Sequence, residues 1–80
     1  MARFTIYSMD NCRDCRKAKE MFSAFSLEYS EIDLSDRPER LAFYAKHGFE
    51  GASATVPKIW DGERLVGGCT ELVDYLSKEE

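Results

Sequence analysis

Two thiols stand three residues apart in Cys12-Arg13-Asp14-Cys15, and a third, Cys69, lies far along the chain. At that spacing two residues share one helical face with Cβ atoms about 5–6 Å apart, a separation that small adjustments close into a disulfide. The pair follows an apolar strand pattern and opens an amphipathic helical one. The free N–H groups of a first helical turn and the positive end of the helix would both stabilise a thiolate at Cys12. Cysteines in Cys-X-X-Cys motifs are more acidic than a free thiol. Cys12 is therefore read as the attacking sulfur and Cys15, one turn deeper on the apolar stripe, as the resolving one. Arg13 favours the Cys12 thiolate and Asp14 opposes it. Metal binding is the rival chemistry, because Cys12, Cys15, His47 and Cys69 add up to a Cys₃His set. Against it, His47 and Cys69 are far apart in sequence rather than in a knuckle. A Cys-X-X-Cys beside a βαβ pattern reads as a redox motif.

The elements that must carry these residues follow from periodicity. Phe4 to Ser8 alternates as a strand, and Asn11 is the expected cap of a helix running from Cys12 to about Phe25. Cys15, Ala18, Phe22 and Phe25 form that helix's apolar stripe. Leu27 to Leu34 reads as a second strand, closed by Ser35-Asp36-Arg37-Pro38. Pro38 suits the first turn of a helix that turns Leu41, Tyr44 and Ala45 inward and stops near Gly48. His47, at its end, suits the helix dipole as a cap, and residues 49–54 read as loop. Thr55 to Trp60 is a third strand, and Asp61-Gly62 signals a hairpin into Arg64-Leu65-Val66. Gly67-Gly68 leads to a last helix with Leu72, Val73 and Leu76 inward, and Glu79 and Glu80 form a solvated tail. Phe43, Phe49 and Trp60 are read as core or rim aromatics. The order β-α-β-α-β-β-α predicts an α/β layer fold with one parallel crossover and an antiparallel hairpin.

Eighty residues are read as one domain, 1–80, with no room for a second core. The net charge of −4 is spread over mixed signs without a basic stripe, so nucleic acid is not an expected partner. No apolar run approaches the ~20 residues of a membrane span, so no membrane partner is expected either. Met1-Ala2-Arg3-Phe4 runs straight into the first strand without signal-peptide anatomy, and the expected location is the cytoplasm. Three cysteines do not make a secreted disulfide scaffold, which favours redox or metal chemistry in a reducing compartment.

Over nearly its whole length the chain resembles the glutaredoxins. The resemblance rests on Ile6-Tyr7-Ser8 before the cysteines, Cys12-x-x-Cys15 followed by Arg16-Lys17-Ala18-Lys19, Thr55-Val56-Pro57, and Gly67-Gly68-Cys69 before the last helix. It implies a thioredoxin-like fold, a four-stranded mixed sheet with helices on both faces. It implies a cis Pro57 beside the cysteines and a Val56 main chain that pairs with substrate as a short strand. It also implies a glutathione site in which the N–H groups of Cys69 and Thr70, freed by Gly68, receive the γ-glutamyl carboxylate at a helix N-terminus. Thr70 adds its hydroxyl there, and Cys69 is a small packed residue rather than a catalyst. Two departures stand out. Arg13-Asp14 replaces the Pro-Tyr common between the cysteines. Met9 stands where many members carry a lysine for the glycine carboxylate, a role left to Arg13, Arg37 or Arg40. The segment from Ser35 to Ala54 is also longer than in compact members.

The expected activity is glutathione-dependent thiol–disulfide exchange through the Cys12/Cys15 dithiol, in a monomer with glutathione as co-substrate and no tightly bound cofactor or metal. Its expected partners are glutathione and disulfide-bearing client proteins, with ribonucleotide reductase as a natural client. Two alternatives stay open. One is a small redoxin recharged by thioredoxin reductase, to which Lys46-His47-Gly48-Phe49 is similar. The other is a protein holding zinc, or an iron–sulfur cluster shared between two subunits.

Overall fold

A computed structural model describes residues 2–78; Met1 and the expected tail residues Glu79 and Glu80 lie outside the described residues. Strand β1, Phe4–Ser8, turns Phe4, Ile6 and Ser8 to one face and Thr5 and Tyr7 to the other, as the period of two requires. Helix α1, Arg13–Ala24, crosses to β2, Tyr29–Asp33, which pairs with β1 in parallel. After α2, Arg37–His47, and a single 3₁₀ turn, Gly51–Ser53, strand β3, Lys58–Asp61, returns antiparallel to β1. The hairpin at Gly62, where φ is +62°, adds β4, Arg64–Gly67, and α3, Cys69–Lys78, closes the described chain. The sheet order is β2-β1-β3-β4.

Each face of the sheet is covered. Phe4, Ile6 and Ile59 meet Ala18 and Phe22 of α1 and Cys69, Leu72 and Leu76 of α3 in one cluster. On the other face Phe43 and Tyr44 of α2 gather with Leu34, Tyr7, Phe49, Val56 and Trp60. This is the thioredoxin-like architecture that the family resemblance implied.

Several details differ from expectation, each for a local reason. Cys12, not Asn11, caps α1: Asn11 takes a left-handed φ of +54°, and the Cys12 sulfur receives the Cys15 N–H at 3.2 Å. The apolar stripe ends at Phe22, and Phe25 is 52 % exposed. Ser26 turns left-handed, its N–H reaching the Ser23 carbonyl and the Leu27 N–H that of Phe22, so Leu27 rather than Phe25 swings back to the core. Strand β2 is shorter than read, though Leu34 still donates to the Ser8 carbonyl. In α2 the inward residues are Phe43 and Tyr44, whereas Leu41 and Ala45 are exposed. The sheet beneath offers rings rather than aliphatics, and Phe43 stacks on Tyr7 with centroids 4.4 Å apart. Asp36 caps this helix and Gly48 closes it at φ +72°, leaving His47 to lie 4.7 Å from the Phe43 ring and 5.2 Å from Trp60. Val73 is 43 % exposed, because α3 lies with Cys69, Leu72 and Leu76 on its buried line. Thr55, Val56 and Pro57 precede β3 instead of joining it; a proline has no N–H to give to the ladder.

Candidate active site

The loop from β1 to α1 is short, and the Asp10 N–H donates to Ser35 Oγ at 2.9 Å, tying it to the β2–α2 junction. This holds Cys12 half-buried at the N-cap of α1 and Cys15 one turn inside, 1 % exposed. Their sulfurs are joined in a disulfide with Cα atoms 5.2 Å apart, within the usual span for such a bridge. The Arg16 N–H donates to the Cys12 carbonyl at 3.2 Å, so the first bond of the helix starts from the capping cysteine. The Cys15 N–H aimed at the Cys12 sulfur is in place to stabilise a thiolate there once the disulfide is reduced. Arg13 and Asp14 stand in solvent with Nε and Oδ1 3.9 Å apart. A pair so exposed largely cancels its own field, which leaves the main chain as the principal source of thiolate stabilisation.

Two further segments adjoin the pair, one beside the Cys12 sulfur and the other packed against the first. The Val56–Pro57 peptide is cis, as the resemblance implied, and Pro57 is buried. The Val56 carbonyl oxygen lies 3.8 Å from Cys12 Sγ. Neither the Thr55 nor the Val56 main chain bonds to another main chain among the described residues, so Val56 presents an open edge beside the sulfur. The second segment is the start of α3. A Cβ built on Gly68 would lie 3.4 Å from the Pro57 carbonyl oxygen, which shows how closely the two backbones approach. The following Cys69 is buried, and its thiol is pushed up mainly by that burial, with Lys17 acting the other way. It is thereby held as a neutral packing group. Thr70 is exposed at the helix start.

Sequence reasoning missed Glu71. Its carboxylate accepts the Gly68 N–H at 2.8 Å, at the mouth of the same helix. The signal was present, since a glutamate three residues behind a helix cap is a capping-box pattern. Among the candidate cations, Arg40 spends its Nη1 on the Leu34 and Ser35 carbonyls at 2.9 and 3.2 Å, while Arg37 is exposed. The proposed Cys₃His set does not assemble. His47 sits in the aromatic cluster across the sheet, and among the described residues no group of His, Cys, Asp or Glu is placed to hold a metal ion. An open groove of about 420 Å³ between α1 and β2 includes Lys19 and Glu31. Those two already pair at 2.9 Å, and the groove's lining includes neither cysteine of the pair.

No described helix is long and apolar enough to cross a membrane. The sequence profile of the family described as Glutaredoxin matches residues 4–66. A glutaredoxin of Pseudomonas aeruginosa is 36 % identical over 72 residues, covering 90 % of this chain and 82 % of the relative. A glutaredoxin-like protein NrdH of Lactococcus lactis subsp. cremoris is 31 % identical over 48 residues, covering 60 % of this chain and 67 % of its own length. Among solved structures, glutaredoxin 1 of Francisella tularensis superimposes with a TM-score of 0.85 at 26 % identity, over 98 % of this chain and 95 % of that one. With the Cys12–Cys15 pair at bonding distance on the same scaffold, the chain belongs to the glutaredoxin family and is a thiol–disulfide oxidoreductase of the dithiol kind.

Proposed function

We propose that the enzyme reduces glutathione mixed disulfides and protein disulfides with glutathione as the electron source. The observation carrying this reading is the Val56 main chain beside the Cys12 sulfur, with the α3 N-terminus packed against the adjoining Pro57 carbonyl. A γ-glutamyl group bears a carboxylate and an ammonium on one carbon. The N–H groups of Cys69 and Thr70 suit the carboxylate, and the Glu71 carboxylate suits the ammonium. The open main chain of Val56 suits the cysteinyl peptide unit as a one-residue strand addition. Pro57 and Gly68 bring these pieces together, and Arg13 lies at the rim.

In the first step the Cys12 thiolate attacks the glutathione sulfur of a mixed disulfide. The Cys12–S bond forms, the substrate S–S bond breaks, and the client leaves as a thiolate that takes up a proton. A second glutathione thiolate then attacks the glutathionyl sulfur, releasing oxidised glutathione and restoring Cys12. With a protein disulfide, Cys15 attacks the mixed bond instead, which releases the client and leaves the Cys12–Cys15 disulfide. Two glutathione molecules return that disulfide to the dithiol. The reading takes the chain as one domain working as a monomer in the cytoplasm, with ribonucleotide reductase among its clients.

A second reading keeps the cysteine chemistry but draws electrons from thioredoxin reductase; the partial match to the glutaredoxin-like protein NrdH favours it. Reduction of a low-molecular-weight glutathione mixed disulfide, with glutathione and glutathione reductase or with thioredoxin reductase, separates the two. Turnover with glutathione alone is expected, and turnover confined to thioredoxin reductase refutes the glutathione site. Cys12→Ser is expected to abolish turnover while Cys15→Ser keeps activity on the glutathione mixed disulfide. Equal loss in both would reverse the assignment of roles.

A further inference from the structure

Lys58 is the one lysine buried in the described structure, 7 % exposed, yet it pairs with no carboxylate there. Its backbone is fixed in β3 opposite Tyr7. The side chain curls back over the preceding residues, and Nζ donates to the Thr55 carbonyl at 2.8 Å and to Thr55 Oγ1 at 3.1 Å. The ammonium also lies 4.9 Å from the centre of the Phe49 ring. An ammonium has three donors, so two are spent on a single residue.

That residue begins the open segment beside Cys12. Thr55 and Val56 belong to no strand and make no main-chain bond to another main chain among the described residues. On the far side of Pro57 the sheet anchors the chain. On the near side the polar anchor is the Lys58 ammonium, so one residue fixes both ends of Val56-Pro57, through its backbone and through its side chain. Burying an ammonium is costly, and the burial lowers the Lys58 pKa, so a neutral or apolar residue would be the cheaper filler here. We infer that Lys58 is a positioning residue, whose ammonium holds the Thr55–Val56 main chain in the geometry that receives the substrate's peptide unit. The inference rests on the reading of Val56 as a substrate-pairing strand and extends it to the group that keeps the edge open and aligned.

Lys58→Met keeps the length and the apolar stem of the side chain and removes the donors. The variant is assayed on a glutathione mixed disulfide with glutathione, and on a short peptide disulfide with dithiothreitol. A third measurement is alkylation of reduced Cys12 by iodoacetamide, which needs no strand pairing. The expected result is a KM raised about tenfold on both disulfides, the factor worth ~1.4 kcal/mol of lost ground-state binding, with kcat and the alkylation rate close to wild type. An unchanged KM overturns the inference, as does a parallel fall in kcat and alkylation, which would mark Lys58 as a general scaffold residue. Wild-type turnover of the peptide disulfide without turnover of the glutathione substrate would refute the glutathione reading, leaving Lys58 judged on the peptide KM. If Lys58→Met fails to fold, Thr55→Val, which deletes only the hydroxyl acceptor, is measured in the same way. A higher KM at constant kcat supports the clamp, and an unchanged KM overturns it.

Discussion

Replacing Gly67 by alanine tests how tightly the start of α3 is built, because backbone and packing costs can be separated against two other glycines. Gly48 and Gly62 have φ of +72° and +62°, and a Cβ at either would meet nothing within 4 Å. Alanine there costs only the left-handed backbone penalty, about 1 kcal/mol. Gly67 has φ of +123°, well outside the left-handed basin, and its Cβ would lie 2.8 Å from both Cβ and Cγ of Glu71. A glutamate Cγ can swing away, but its Cβ is fixed by the helix backbone. The backbone term is then about 1–3 kcal/mol and the overlap adds about 1–3 kcal/mol, for a central loss of ~3 kcal/mol. For a domain of this size that lowers Tm by roughly 12–24 °C. Urea unfolding of the three variants under reducing conditions, with the Cys12–Cys15 bridge open in every sample, gives the comparison. A Gly67→Ala loss no larger than those of Gly48→Ala and Gly62→Ala would refute the crowding argument. It would also show that the helix start can retreat from Pro57 without cost.

Two further substitutions probe the frame. Ser26 ends α1 at φ +55° without being glycine, so Ser26→Gly is expected to stabilise the protein by ~0.5–1 kcal/mol in the same unfolding assay. Asp61 accepts from both Arg3 Nε at 3.0 Å and Nη2 at 2.8 Å, and from the Tyr75 hydroxyl at 2.6 Å. These bonds, that of Arg3 first, hold the Asp61 carboxyl below its ordinary value. A depressed folded-state pKa contributes stability that is complete above the unfolded value of about 3.9 and is lost as pH falls through the folded one. With Arg3 43 % exposed, solvent screening limits the pair to ~1 kcal/mol. Asp61→Asn should therefore be less stable than wild type at pH 7 and converge on it in acid, as followed by urea midpoints against pH. A gap that persists undiminished at low pH would assign the loss to packing instead.

The element order was legible in the sequence because each element has a local cause, whereas the cis Val56–Pro57 peptide beside the cysteines was implied only by the family resemblance. Alternation sets β1, the cysteine pair sits where a strand gives way to a helix, and Asp61-Gly62 can hardly be anything but a turn. The errors fall where a neighbouring element decides orientation. Leu41 and Ala45 had a sound inward pattern, but the sheet face below α2 is aromatic and drew Phe43 instead. Phe25 continued the α1 stripe on paper and lost its place to Leu27 once Ser26 reversed the chain. Lys58 and Glu71 drew no reading from the sequence. Their roles come from a side chain folding back three residues, which periodicity does not encode.

The site also explains how a motif as polar as Arg13-Asp14 is accommodated between the cysteines. Were the thiolate stabilised by side-chain charge, an aspartate beside it would be a liability of the same order as the arginine's benefit. Here both side chains project into solvent, where their effect on the sulfur is screened. The groups that do face the Cys12 sulfur are main-chain ones: the Cys15 N–H at 3.2 Å and the Val56 carbonyl at 3.8 Å. They act in opposite directions, since the N–H favours a thiolate and the carbonyl oxygen favours a protonated thiol able to donate to it. On the proposed reading, a substrate peptide unit docked on Val56 would take up that carbonyl and shift the balance towards the N–H. On that reading binding and activation of the nucleophile would be coupled through one stretch of backbone, the one anchored at Thr55 by the Lys58 ammonium.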